Sequence, residues 1–418
     1  MSDRDPRVTE LIRTWEPDLY SELSSPTPTF EAGLRTPCLR DKGKSRRCLP
    51  GAYLIGNWQS NAKGLAALIG SHPDISNVGN DRCFQHWSND RGGRTWLQQP
   101  APRGFDPQRH LMAAFGCVTQ QAFYPGFAGR FHRAWEAKYW PCKAACMADP
   151  KCAPHYFEKR VWRCKARALA AHDRATRLAA TSDAPGLNVT PPHFMRAFYG
   201  GARVKLITII RAPVDRVRHA FYQHVHYRKK YGADAAGLHA YAAEQANGWY
   251  ACARTHGSRR CAIHFEQLGA DPNDVFFHCD QLIRSMYAPF LREWLSAFPD
   301  GRLMIVRTED LLTMRRLTLS RVWRHLGVAP LAFDGNAPLP PRLERAEARL
   351  PADYIEWTQR QGPITAATTE LLQALFRPFN RELRDMLAAA PGGSMLSTCG
   401  GADAPSCDAF LFEEGMVD

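Results

Sequence analysis

Two stretches of this sequence place anion-gripping residue types where an apolar run ends. In the first, Ala52-Tyr53-Leu54-Ile55-Gly56 gives way to Asn57-Trp58-Gln59-Ser60-Asn61-Ala62-Lys63-Gly64. Leu65, Leu68 and Ile69 then follow at helical spacing, and the pattern stops at His72-Pro73. In the second, Val204 to Ile210 is an unbroken, β-branched run that suits a strand buried on both faces. It enters Arg211-Ala212-Pro213, where Pro213 is pre-set for the first position of a helix. A strand, a turn and a helix in succession offer unpaired N–H donors and the positive end of a helix dipole, which suits a phosphate. Arg211, at the second junction, can fork two hydrogen bonds onto such a group. Taken singly, Arg211 reads as a surface ion-pair residue and Lys63 as a solvated first-turn lysine. The first turn is not a Walker A loop, because no Ser or Thr follows Lys63.

The elements that must position these turns alternate in type. Leu282, Ile283, Met286, Tyr287, Phe290, Leu291, Trp294, Leu295 and Phe298 predict one long amphipathic helix, whose aromatics belong to a core. A strand at Leu303–Val306 follows, then helices around 317–326 and 370–387. This order predicts an α/β fold with a largely parallel central sheet flanked by helices. Residues 1–50 read as an irregular leader, 51–390 as one domain, about 100–185 as a Cys-containing insertion, and 391–418 as a peripheral tail.

The chain has 418 residues, with 54 Lys+Arg against 41 Asp+Glu, a balance of +13. With 45% apolar and 23% charged residues, it is neither disordered throughout, nor collagen, nor a coiled coil. The positive balance suits an acidic partner. The basic residues are scattered, and no helix-turn-helix, zinc-finger or RNP signature is present, so nucleic acid is not the expected partner. Thirteen cysteines include Cys142, Cys146, Cys152 and Cys164 close together, and the pairs Cys252/Cys261 and Cys399/Cys407. No paired C-x-x-C spacing points to zinc, so short disulfide loops and an oxidising compartment are expected. Asn188-Val189-Thr190 is a glycosylation sequon, disfavoured by Pro191. The first residues, Met1 to Asp5, lack the apolar region of a signal peptide, and no stretch approaches the roughly 20 apolar residues of a membrane span.

Three longer motifs accompany the two turns. Lys205 through Arg216 gives a strand followed by R-x-P-V-[DE]-R. Arg307-Thr308-Glu309-Asp310-Leu311 follows another strand, and Thr369 through Leu383 contains Phe376-Arg377-Pro378-Phe379-Asn380. In this order, over most of residues 52–388, the chain resembles the Golgi-type carbohydrate sulfotransferases. Cys279-Asp280-Gln281-Leu282 through Trp294-Leu295 is most similar to the chondroitin branch, the N-acetylgalactosamine 4-sulfate 6-O-sulfotransferase-like enzymes. The resemblance implies a P-loop-like sulfotransferase fold and a location in the Golgi lumen or secretory pathway. It implies transfer of a sulfuryl group from 3′-phosphoadenylyl sulfate (PAPS) to a hydroxyl of an anionic, glycosaminoglycan-like acceptor, without a metal.

The resemblance also assigns residues. Arg211 and His219 would hold the donor's 3′-phosphate, His219 standing where the family usually has serine. The 5′ loop of the family runs approximately G-x-x-K-x-G-T-T-x-L before a helix ending in His-Pro. In that register Gln59 replaces the catalytic lysine, Asn61 the glycine, Ala62 the first threonine and Lys63 the second. Gln59, Ser60, Asn61, Ala62, Lys63 and Gly64 would surround the 5′ side, with Lys63 supplying charge to the leaving group. Asp81, within Asn80-Asp81-Arg82-Cys83-Phe84, is nominated as general base, and His86 and His224 are the alternatives. A family member that binds nucleotide or glycan without transfer is the rival that Gln59, Ala62 and His219 suggest. A P-loop kinase is the third.

Overall fold

The computed structural model describes residues 29–39, 46–78, 102–115, 133–152, 161–176, 190–200, 204–264, 280–298, 303–331, 362–389 and 395–397, with 10, 202, 341 and 343–348. Its strands are β1 (Cys38–Leu39), β2 (Arg47–Cys48), β3 (Ala52–Gly56), β4 (Ile75–Asn77), β5 (Leu111–Ala114), β6 (Lys205–Ile210), β7 (Leu303–Arg307) and β8 (Met395–Ser397). Its helices include α1 (Ala62–Gly70), α2 (Arg133–Ala148), α3 (Val161–Thr176), α4 (Pro191–Tyr199), α5 (Pro213–Gln223) and α6 (Val225–Tyr231). They continue with α7 (Ala235–His256), α8 (Ser258–His264), α9 (Asp280–Ile283), α10 (Tyr287–Ala297), α11 (Thr308–Thr313), α12 (Arg315–Leu326) and α13 (Ala366–Ala389).

Six strands form one parallel sheet in the order β4-β5-β3-β6-β7-β8. Successive residues of β3, β6 and β7 point to opposite faces, as the pleat requires. Tyr53, Ile55, Leu206, Ile210, Leu303 and Ile305 meet Trp249, Trp294 and Phe376 on one side. Ala52, Leu54, Ile207, Ile209, Met304 and Val306 meet Leu65, Leu68, Val322 and Trp323 on the other. Both faces are covered, which is why the 204–210 run is continuously apolar. From β3 the chain crosses through α1 towards β4, whereas from β6 it proceeds to β7 on the opposite side. The reversal falls between β3 and β6, and in such sheets ligands usually sit beyond the carboxyl ends of the strands at that point.

Several elements differ from the sequence expectation. The long helix expected over 282–298 is two helices, α9 and α10, with a break at Arg284–Met286. Pro289 sits in the first turn of α10; it has no N–H to donate and its ring would clash with the Ser285 carbonyl of a continuous helix. Residues 100–185, read as an insertion, contain β5, a strand inside the sheet between β3 and β4. In the 1–50 leader, β1 and β2 form an antiparallel ribbon in which Cys38 faces Cys48 across the ladder. In the 391–418 tail, β8 extends the sheet beside β7.

The expected disulfide loops are present. Cys142–Cys164 joins α2 to α3, Cys146–Cys152 closes the end of α2, and Cys252–Cys261 closes the corner between α7 and α8. Cys38–Cys48 staples the ribbon, a pairing the spacing did not single out. Cys399 and Cys407 lie outside the described residues. Among the described residues, no helix is long and apolar enough to cross a membrane.

Candidate active site

The turn after β3 is pinned from several sides. Asn57 N–H donates to Ile209 O (2.9 Å), carrying the β3–β6 pairing past the strand end. The buried Asn57 side chain donates through Nδ2 to Arg284 O at 2.6 Å. Gln59 (φ 68°) and Asn61 (φ 59°) are the non-glycine residues with positive φ among the described residues. Asn61 occupies the position where the resemblance expects glycine, and asparagine is the side chain that enters the left-handed region at least cost. Gln59 is fixed there by its amide, whose Nε2 donates to Gln223 Oε1 at 2.8 Å. Asn61 starts α1 without capping it through its side chain, and the first turn holds no acidic residue. The first N–H groups of α1 are therefore left to meet an anion.

The second junction lies directly beside this turn. Arg211 is 5% exposed. Its N–H donates to Tyr287 Oη (3.3 Å), and that hydroxyl donates back to Arg211 O (2.7 Å). Burial pushes the Tyr287 phenol up to about 12, so it stays protonated and keeps both contacts. Ala212 N–H donates to Glu309 Oε1 at 3.2 Å. Thr308 Oγ1 lies 2.9 Å from Ser60 O and 3.0 Å from Ile210 O, so one hydroxyl stitches the turn to the end of β6.

Arg216 is the deepest of these braces, with 0% exposure. Its Nε donates to Trp58 O (2.8 Å), Nη1 to Gln281 O (2.8 Å) and Ser285 Oγ (3.0 Å), and Nη2 to Gln281 Oε1 (3.3 Å). The guanidinium thus ties α5 to the turn and to the α9–α10 break. A planar fork of donors suits these four acceptors on three residues at once; lysine does not. His219, one helical turn further along α5, is 1% exposed. Burial, with the Arg211 and Arg216 guanidiniums and His224 nearby, pushes its imidazole down to about 3. His219 is therefore neutral and offers a hydrogen bond, not the added charge that protonation would give.

Thr308 and Tyr287 bring Ser60 next to the end of β6 and Arg211, and His219 lies near the Arg211 guanidinium. Lys63 is exposed in the first turn of α1 and has no hydrogen bond or ion pair among the described residues. Asp81 and His86 lie outside the described residues. His224 caps α5 next to Gln223, the partner of Gln59. Sequence reasoning missed Tyr287, Gln281, Ser285 and Gln223. Tyr287 had counted only as a core aromatic, and its hydroxyl is what matters. The sequon's Thr190 is also committed, its hydroxyl donating to Glu293 Oε2 (3.0 Å) and pairing with His193 Nδ1 (2.8 Å).

No protein-family model matches the sequence. Among curated proteins, it is 28% identical over 195 residues to carbohydrate sulfotransferase 15 of Homo sapiens, covering 47% of this chain and 31% of that protein. The Mus musculus protein of the same name is 26% identical over 194 residues, covering 46% and 31%. That of Nototodarus sloanii is 29% identical over 98 residues, covering 23% and 58%. The chain thus spans about a third of the length of the mammalian relatives it matches. A sulfotransferase structure from Alicyclobacillus acidocaldarius overlaps 79% of this chain and 96% of its own, at 13% identity and a TM-score of 0.34. Over these segments the chain is similar to the carbohydrate sulfotransferases.

Proposed function

We propose that the chain transfers the sulfuryl group of PAPS to a hydroxyl of an anionic, glycosaminoglycan-like carbohydrate. One observation supports this reading: Thr308 bonds both Ser60 O and Ile210 O, Tyr287 holds Arg211 O and Arg216 holds Trp58 O, so the turn after β3 and the end of β6 are braced side by side. The residues suit a doubly phosphorylated nucleotide. Arg211 and the neutral His219 take the 3′-phosphate, while Ser60, Asn61, Ala62, Lys63 and Gly64 at the start of α1 take the 5′ side. In the reaction the sugar oxygen bonds to sulfur as the bond from sulfur to the 5′-phosphate oxygen breaks, and the hydroxyl proton passes to a base.

Charge gathers on the departing oxygen, so a cation placed there contributes most. Gln59 is neutral and already engaged with Gln223. Lys63 is the nearby cation of the turn and is assigned that task. Asp81 is the proposed base, with His224 the alternative on the α5 side. The disulfides among the described residues support a secretory-pathway location. Incubation with radiolabelled PAPS and chondroitin, beside PAP binding measured calorimetrically, tests the proposal. Label in the glycan is expected; PAP bound without transfer would leave a binding protein instead.

A further inference from the structure

Trp58 is unusual among the large apolar side chains of the site, because 40% of it is exposed on the turn that also carries Gln59 and Ser60. Its main chain is fixed: the carbonyl accepts from the buried Arg216 Nε at 2.8 Å. The Arg284 guanidinium lies over the indole, with Cζ 5.8 Å from the ring centroid. Arg284 is likewise anchored through its main chain, its carbonyl accepting from Asn57 Nδ2 at 2.6 Å. Two backbones anchored by buried groups therefore present a stacked indole and guanidinium on the turn after β3.

We infer that Trp58 and Arg284 form an acceptor subsite for an anionic sugar, resting on the sulfuryl-transfer proposal above. The apolar C–H face of a pyranose can lie on the indole face that Arg284 leaves open, while the guanidinium on the other face meets a carboxylate or sulfate reaching past the ring edge. A purine would also offer the indole a flat ring, and PAP affinity is the measurement that separates that occupant from the sugar. The platform adjoins Ser60, so a sugar seated on it brings its hydroxyl towards the turn that holds the sulfuryl group. Neither main-chain anchor depends on the side chain beyond it, so substitutions here should leave the turn in place.

The test uses the full chain, desulfated chondroitin, a neutral chitotetraose and PAP. Trp58→Ala should raise KM for chondroitin about tenfold while kcat and PAP affinity stay within about twofold, and Trp58→Phe should restore most of the loss. Arg284→Gln should raise KM for chondroitin and leave that for chitotetraose unchanged. Should Trp58→Ala weaken PAP as much as chondroitin, the indole serves the nucleotide and the inference fails; unchanged KM values in both variants overturn it as well. If the wild type binds PAP but transfers nothing, the transfer proposal alone is lost. Chondroitin binding by wild type against Trp58→Ala then decides the subsite, and equal or absent binding refutes it.

Discussion

At the scale of single residues, the site departs from the motif it resembles in ways the backbone explains. Asn61 keeps the left-handed turn that glycine would otherwise supply, so losing the glycine does not lose the geometry. Gln59 has the backbone position of the expected lysine but hydrogen-bonds sideways to Gln223. If Lys63 has taken over the charge, Lys63→Ala should lower kcat by about 10²–10³, the range seen when a group stabilising transition-state charge is removed. Gln59→Ala should lower it by no more than a few-fold; equal modest losses in the two variants would refute the assignment. His219 makes a separate prediction through pH. Its folded value of about 3 lies below the 6.5 of an ordinary histidine. Between those values the unfolded chain binds a proton that the folded chain refuses, so stability falls as pH drops through this window and is flat above it. Thermal melts from pH 7 to 4 should show a shallower decline for His219→Gln than for the wild type; parallel curves would mean that His219 is not held neutral.

At the scale of elements, the two halves of the proposed donor site are held by a third segment, the α9–α10 break. Gln281 and Ser285 take the Arg216 fork, Arg284 takes Asn57, and Tyr287 takes Arg211. Tyr287→Phe deletes one oxygen yet leaves the Arg211 N–H and carbonyl without that partner, at a cost of about 1–3 kcal/mol in stability. PAP affinity should fall with it by roughly three- to tenfold, since Arg211 loses its brace. A variant that loses stability but keeps full PAP affinity would make Tyr287 a packing residue only. Arg216→Lys should cost at least about 2 kcal/mol in urea unfolding, because one ammonium cannot serve Trp58, Gln281 and Ser285 together. The strand–turn–helix units were legible in the sequence because each is local: an apolar run, a turn and a periodic stripe fall within a short window. Pro213 and His72-Pro73 marked their boundaries correctly. The bracing segment was not legible, since the 282–298 apolar stripe hides a break that only Pro289 hinted at. Its contacts with residues 57, 211 and 216 are long-range in the chain. β5 escaped for a related reason: Leu111–Ala114 is too short to stand out from a loop, and only pairing with β3 and β4 makes it a strand.

At the scale of the whole molecule, charge and architecture act on different steps. The sheet buries both faces, and disulfides staple the outlying ribbon and a helical corner, so the ends of β3 and β6 sit on a well-braced scaffold. The net charge of +13 is spread over the chain rather than gathered in one basic block. Such a field draws a polyanion from a distance but contributes little to how a sugar is seated once it is in contact. The Debye length shrinks from about 30 Å at 0.01 M salt to about 8 Å at 0.15 M, which removes long-range attraction and leaves close contacts largely intact. For a polyanionic chondroitin acceptor, KM should therefore rise several-fold across that range while kcat stays flat. For a neutral oligosaccharide at saturating PAPS neither constant should move. A kcat that falls with salt for both acceptors would place the ionic effect in the turn around Lys63 and Arg211, and the surface charge would then have no part in acceptor capture.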